Sequence, residues 1–179
     1  MKRQRVKSSA SLNRLEDNGL ASFSQSAEKA RAYAFLLLKF RLRSENELLS
    51  RLKQKGFSLE LSRSTVNFLK DKEFIDDRVF AKNWVVSRFK RSYGLRRIQQ
   101  ELVAKGLDKG IIEDSLSTAK KDYSESQVVN QLAQQRFLRQ KGIDPQKAKA
   151  RVYGYLLRRG FSPDVVSEVV NKINRSVPD

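Results

Sequence analysis

The segments LLSRLKQKGFS (residues 48–58), IQQELVAKGLD (98–108) and VYGYLLRRGFS (152–162) are three versions of one pattern. Aligned on Gly56, Gly106 and Gly160, each has a leucine four residues earlier (Leu52, Leu102, Leu156) and an apolar residue eight earlier (Leu48, Ile98, Val152). A cation stands just before the glycine (Lys55, Lys105, Arg159), and an apolar residue just after it (Phe57, Leu107, Phe161), followed by Ser58, Asp108 or Ser162. Apolar residues four apart share one helix face. A glycine past the last turn takes the left-handed conformation that ends a helix, and Ser or Asp two residues on caps the next one. The glycines lie 50 and 54 residues apart, which is room for three helices and their turns. The chain therefore reads as three tandem three-helix units, helix-turn-helix-like, which pack end to end because a unit of this size buries little by itself.

Outside these segments the same periodicity holds. From Glu28 onward apolar residues recur three and four apart, and no stretch alternates at period two, so an all-α fold is expected. Ser44-Glu45-Asn46-Glu47 is a capping box and Ser124 to Gln127 a second. Asp144-Pro145 and Ser162-Pro163 each set a cap before a proline at the first helical position, and Asp76-Asp77 and Asp108 supply further caps. These signals predict helices near 27–42, 45–55, 59–72, 77–92, 95–105, 109–121, 125–141, 146–159 and 163–174. Residues 1–25, rich in serine and poor in apolar groups, read as a mobile basic tail. The repeats then cover 26–74, 75–123 and 124–175, with a short tail at 176–179.

Among 179 residues, 37 Lys and Arg face 20 Asp and Glu, a net charge of +17 that should seek a polyanion. The absence of cysteine and histidine excludes disulfides, thiol nucleophiles, imidazole catalysis and His- or Cys-bound metals. The apolar run Ala32 to Leu38 is too short to span a bilayer, and the basic amino terminus lacks the apolar stretch of a signal peptide. A cytoplasmic protein with no membrane partner is expected. Glu73, Asp76 and Asp77 form the one acidic constellation, which reads as helix capping rather than a Mg²⁺ site. No glycine-rich phosphate cradle is present. The residues imply no enzyme, no metal and no cofactor.

The densest basic cluster runs from Arg88 through Lys90, Arg91 and Tyr93 to Arg96 and Arg97, five cations with no acid in ten residues. It reads as a phosphate-binding surface with Tyr93 as a stacking ring. The helix dipole accounts for cations at the end of one helix but not for Arg96-Arg97 at the start of the next. Lys39, Arg41 and Arg43 close the first helix of unit one, as Arg136, Arg139 and Lys141 do in unit three, where Lys147, Lys149, Arg151, Arg158 and Arg159 add charge. Phe80 and Trp84, one turn apart beside Val79 and Val85, read as core.

Phe74-Ile75-Asp76-Asp77-Arg78-Val79-Phe80-Ala81, with Arg88, Tyr93-Gly94, Arg96-Arg97-Ile98 and Leu102-Val103-Ala104-Lys105-Gly106, resembles the central signature of the RecX family of bacterial recombination regulators. Gly142, Asp144-Pro145 and Leu156 to Ser162 extend the likeness into unit three, and Leu48, Leu52 and Lys55-Gly56-Phe57 into unit one. The resemblance implies an elongated, curved helical array, a monomer without catalytic activity, lying in the groove of the filament that the RecA recombinase forms on single-stranded DNA. It implies restraint of RecA's ATP hydrolysis and strand exchange and of filament growth, and so a role in recombination and repair. It carries a contact role onto Arg88, Tyr93, Arg96, Arg97 and Lys105. The other candidate contacts to filament or to single- or double-stranded DNA are Lys90, Arg91, Lys39, Arg41, Arg43, Arg136, Arg139, Arg158 and Arg159. The alternatives are an autonomous basic DNA-binding protein, either a helix-turn-helix repressor, disfavoured by third helices that begin apolar or acidic, or a non-specific DNA binder, and a metal-dependent nuclease.

Overall fold

The computed structural model describes residues 9–121, 123–140 and 142–173, with side chains from residue 24 onward. Its elements are α1 (Ser9–Phe40), α2 (Glu45–Gln54), α3 (Leu59–Asp71), α4 (Asp77–Phe89), α5 (Leu95–Ala104), α6 (Lys109–Lys120), α7 (Glu125–Leu138), α8 (Pro145–Arg158) and α9 (Pro163–Lys172). No strand occurs among the described residues. The chain folds as three tandem three-helix repeats, divided between one compact unit ending at Ile75, which holds α1 to α3, and another from Asp76 onward, which holds α4 to α9.

Capping residues set the starts of these helices. Ser44 and Glu47 complete the capping box at α2, with Glu47 N–H donating to Ser44 Oγ at 3.1 Å and Ser44 N–H to Glu47 Oε2 at 3.4 Å. Ser58 accepts from Leu61 N–H, Asp76 from Arg78 and Val79, Asp108 from Gly110 and Asp144 from Lys147. Ser124 accepts from Gln127 N–H at 3.5 Å. Ser162 departs from the pattern: it stands at the cap of α9 but its hydroxyl makes no cap bond. Its N–H donates instead to Glu125 Oε1 at 3.0 Å.

The three aligned glycines end α2, α5 and α8 in the left-handed region, with φ of +101°, +74° and +84°. Each closes the same pair of bonds. Gly56 N–H reaches Lys53 O and Phe57 N–H reaches Leu52 O; Gly106 and Leu107 repeat this on Val103 and Leu102, and Gly160 and Phe161 on Leu157 and Leu156. The aligned apolar positions Leu48, Ile98, Val152, Leu52, Leu102 and Leu156 are all fully buried. Each repeat thus has its own core: Ala30, Ala34, Leu69 and Ile75 surround the pair in the first, Phe80, Val85 and Ile112 in the second, and Val129, Phe137, Phe161 and Val166 in the third.

Several helices end two or three residues before expectation, α7 at Leu138 among them, and two boundaries have a visible cause. The expected tail splits, since residues 1–8 lie outside the described residues and Ser9 onward is helical backbone. That stretch lacks proline and carries Leu12, Leu15, Glu16 and Ala21, so a helix anchored at Ala30 and Ala34 extends back through it with one hydrogen bond gained per residue. α4 stops at Phe89 rather than near 92 because Ser92 is left-handed, at φ +54°, and Tyr93 N–H closes back on Arg88 O at 3.2 Å.

Helices pack within their own repeats, whereas repeats two and three are tied by their turns. Gly94 N–H donates to Arg159 O at 2.9 Å and Arg96 N–H to Gly160 O at 3.2 Å. The approach is backbone on backbone: a Cβ on Gly94 would overlap the Gly160 carbonyl and Phe161 N, and one on Gly160 would overlap the Arg97 backbone. Gly94→Ala should therefore lower stability by about 2–4 kcal/mol, beyond ordinary overpacking because backbone cannot repack. At Gly56, with open space around the Cβ position, Gly56→Ala should cost only the left-handed backbone penalty of about 1–2 kcal/mol. Urea unfolding of the two variants against the parent chain checks the ranking.

Candidate nucleic-acid interface

The expected phosphate surface of repeat two sits where α4 ends and α5 begins, and the cations there divide into two sets. Lys90, Arg91 and Arg96 are exposed. Arg88 is held inward. Its side chain is only 15% exposed, its Nε donates to Glu101 Oε2 at 2.5 Å, and its guanidinium lies 3.8 Å from the Trp84 ring centroid. Arg97 Nε donates to Glu101 Oε1 at 3.1 Å, and Trp84 Nε1 adds a third bond to the same carboxylate at 3.0 Å. Lys105 places its ammonium 4.1 Å from the Trp84 centroid. Phe80 is buried and stacks on Trp84 at 5.6 Å, as core residues.

Glu101 organises this set, and reading the sequence for cations missed it. The available signal is that it is the single acid between Arg88 and Leu107, four residues after Arg97. Burial by itself would raise its carboxyl. The hydrogen bonds from Arg88, Arg97 and Trp84 outweigh that and hold it below the ordinary carboxylate range.

Tyr93 is occupied as well. Arg97 lies 4.3 Å and Arg159 5.0 Å from its ring centroid. Arg159 also donates from Nη1 to Ser92 O at 3.0 Å and to Arg91 O, and Arg97 from Nη1 to Arg158 O at 3.2 Å. Arg97, Tyr93 and Arg159 thus fasten the turn of repeat two to the turn of repeat three. The Arg97 left over by the dipole account has its reason here.

In repeat one, Lys39 is exposed in the last turn of α1. Arg41 forms a two-pronged bond to Glu47, at 3.0 and 3.1 Å, which raises its already high pKa. Arg43 donates to Leu37 O at 3.4 Å, and burial together with the nearby Arg41 charge lowers its pKa. In repeat three, Arg136, Arg139 and Arg158 converge on one groove between α7 and α8. Lys141 lies outside the described residues. The acidic constellation has a structural task, because Asp76 caps α4 and Glu73, left-handed at φ +58°, ends α3 with Phe74 N–H on Leu69 O.

Charge reversal at Arg88 or Arg97 would set carboxylate against Glu101, so the exposed trio Lys90, Arg91 and Arg96 is the informative set for contact tests. Glu101→Gln should destabilise the chain by about 1–3 kcal/mol at neutral pH by leaving the half-buried Arg88 without its counter-charge. The folded-state pKa is lowered, so this contribution is present above the unfolded value of about 4.3 and lost as pH falls through the folded one. The difference between parent and variant in thermal midpoint should hold at pH 6–7 and shrink below about pH 4.

Family models for the three-helix domains of RecX match in order, the first over residues 30–69, the second over 76–116 and the third over 124–170. The regulatory protein RecX of Chlorobium limicola is 30% identical over 155 residues, covering 86% of this chain and 95% of the relative. That of Mycobacterium sp. strain KMS is 34% identical over 148 residues, 80% of each. Two crystal structures share the fold. One, of regulatory protein RecX, has a TM-score of 0.75 at 20% identity and covers 96% of this chain and 81% of its own. The other, of RecX from Lactobacillus salivarius, has 0.69 at 22% identity and covers 83% and 97%. With its three domains in family order and relatives matched over most of their length, the chain belongs to the RecX family.

Proposed function

We infer that the protein is a non-enzymatic regulator that binds the filament of the RecA recombinase on single-stranded DNA and restrains its ATP hydrolysis, strand exchange and growth. The observation that carries this reading is the ordered run of three family domains, in a family whose curated members are named regulatory proteins. Two further features support it. The net charge of +17 suits a partner built on nucleic acid. The described residues hold no cluster of three or more acids, histidines or cysteines that would bind a catalytic metal, and the chain has neither histidine nor cysteine for acid–base or thiol chemistry.

Autonomous sequence-specific DNA binding fits less well. The third helices begin Leu59-Glu60, Lys109-Gly110 and Pro163-Asp164, with few side chains suited to base edges.

RecA's DNA-dependent ATP hydrolysis, followed with increasing amounts of this protein, tests the reading. The rate should fall as the protein is added, and an unchanged rate at stoichiometric or excess protein would overturn the reading. Lys90, Arg91 and Arg96 all changed to Glu should weaken the inhibition severalfold with helical content unchanged.

A further inference from the structure

Two neighbouring grooves on the unit that holds repeats two and three share one wall, and that wall is Arg158. The first, of about 480 Å³, lies between α7 and α8 and is lined by Arg136, Arg139, Arg151 and Arg158. The second, of about 530 Å³, lies across the turn junction and carries Arg96, Arg97 and the carboxylate of Glu101, already paired with Arg88 and Arg97, on one side and Arg158 on the other. Small-molecule sites of this volume are mostly apolar. Here the α7–α8 groove presents four guanidinium groups and no carboxylate among its lining residues, and none of the four is ion-paired among the described residues.

The groove is also built rather than incidental. The Arg136 guanidinium rests 4.9 Å from the Tyr155 centroid, so ring contact orients the group while its N–H edge remains available. Gly154, in the interior of α8, lines the floor, and a Cβ there would come within 3.2 Å of Arg158 Nη1. Arg151 and Arg158 are two helical turns apart, about 10 Å along α8. That span is longer than the reach of one phosphate group, so the two guanidiniums suit different phosphates of one strand.

The geometry points to this arginine track, Arg136, Arg139 and Arg151 leading through Arg158 to Arg96, as the seat of a single nucleic-acid strand gripped by successive phosphodiesters. A lone anion would occupy one groove, whereas a shared wall suits a repeating one. The track reads no bases, because its contacts are guanidinium to phosphate. It deepens the regulator reading, and rests on it only for its biological setting, by putting the strand on repeat three. Arg151 joins the contact set there, and Arg88, Arg97 and Arg159 leave it because Glu101 and backbone carbonyls already hold them.

The test uses the full-length protein without RecA and a fluorescently labelled oligothymidylate, with binding followed by anisotropy across a salt series. In the triple variant Arg136→Glu, Arg139→Glu, Arg151→Glu, affinity should drop by about tenfold or more. The slope of log K against log salt should lessen by about 2, as expected for three lost phosphate contacts on a single strand. A control with the same change of charge, Lys29→Glu, Lys53→Glu, Lys109→Glu, should lose much less. The neutral triple change to Gln, with unaltered circular dichroism, should fall between parent and Glu variant, which excludes misfolding as the cause. Equal losses in variant and control would overturn the track in favour of overall charge, and parental affinity in the variant would overturn it outright. Inorganic tripolyphosphate should compete only at far higher phosphate concentration than unlabelled oligothymidylate. Equal competition would replace the strand by a small-phosphate site and overturn the proposal. None of these outcomes depends on RecA, and the ATP hydrolysis measurement succeeds or fails separately.

Discussion

Two backbone carbonyls at the end of α8 join repeat two to repeat three, alongside a Phe89–Tyr123 ring stack at 4.2 Å. Arg159 O and Gly160 O accept from the amides of Gly94 and Arg96, and the approach is close enough that neither Gly94 nor Gly160 has room for a Cβ. Gly160 meets two demands at once, a left-handed turn that ends its own helix and contact with another repeat. The carbonyl bonds are directional and fix orientation, whereas the ring stack beside them, like the packing inside each repeat, favours contact by apolar burial. Arg97, Tyr93 and Arg159 then close over the joint, two guanidiniums against one ring.

That joint decides what the basic residues are free to do. Arg88 and Arg97 neutralise Glu101, while Arg159 is bound to the carbonyls of Arg91 and Ser92. Lys90, Arg91 and Arg96 remain at the surface, and the arginines of repeat three gather in a groove. Cations close together in the chain therefore have different tasks, some holding the fold and others facing solvent. The dense cluster between Arg88 and Arg97 is in good part a fastening, and its charge count overstates the surface it offers to a phosphate.

A regulator of this design has little need of chemistry. Its repeats offer rigid, separately cored modules, and guanidinium groups keep their charge throughout the physiological pH range. Binding through such groups varies with ionic strength far more than with pH, because each phosphate contact releases a counterion while a guanidinium keeps its charge.

The helices, their caps apart from that at Ser162, the threefold repeat and the buried positions at Leu48, Ile98, Val152 and their partners were legible in the chain itself. Each rests on contacts between residues a few places apart: a Ser hydroxyl on an amide three residues on, a glycine closing the turn before it, a leucine one helical turn from its neighbour. The early start of α1 escaped this reading because burial was weighed there and helix propagation was not. The division of the cations escaped it for a different reason. Arg88 meets Glu101 from thirteen residues away, Arg97 meets the Arg158 carbonyl from 61, and Arg159 meets Ser92 from 67. No local pattern encodes such pairings, and folding alone settles which positive charges are satisfied inside the protein and which are left for a partner.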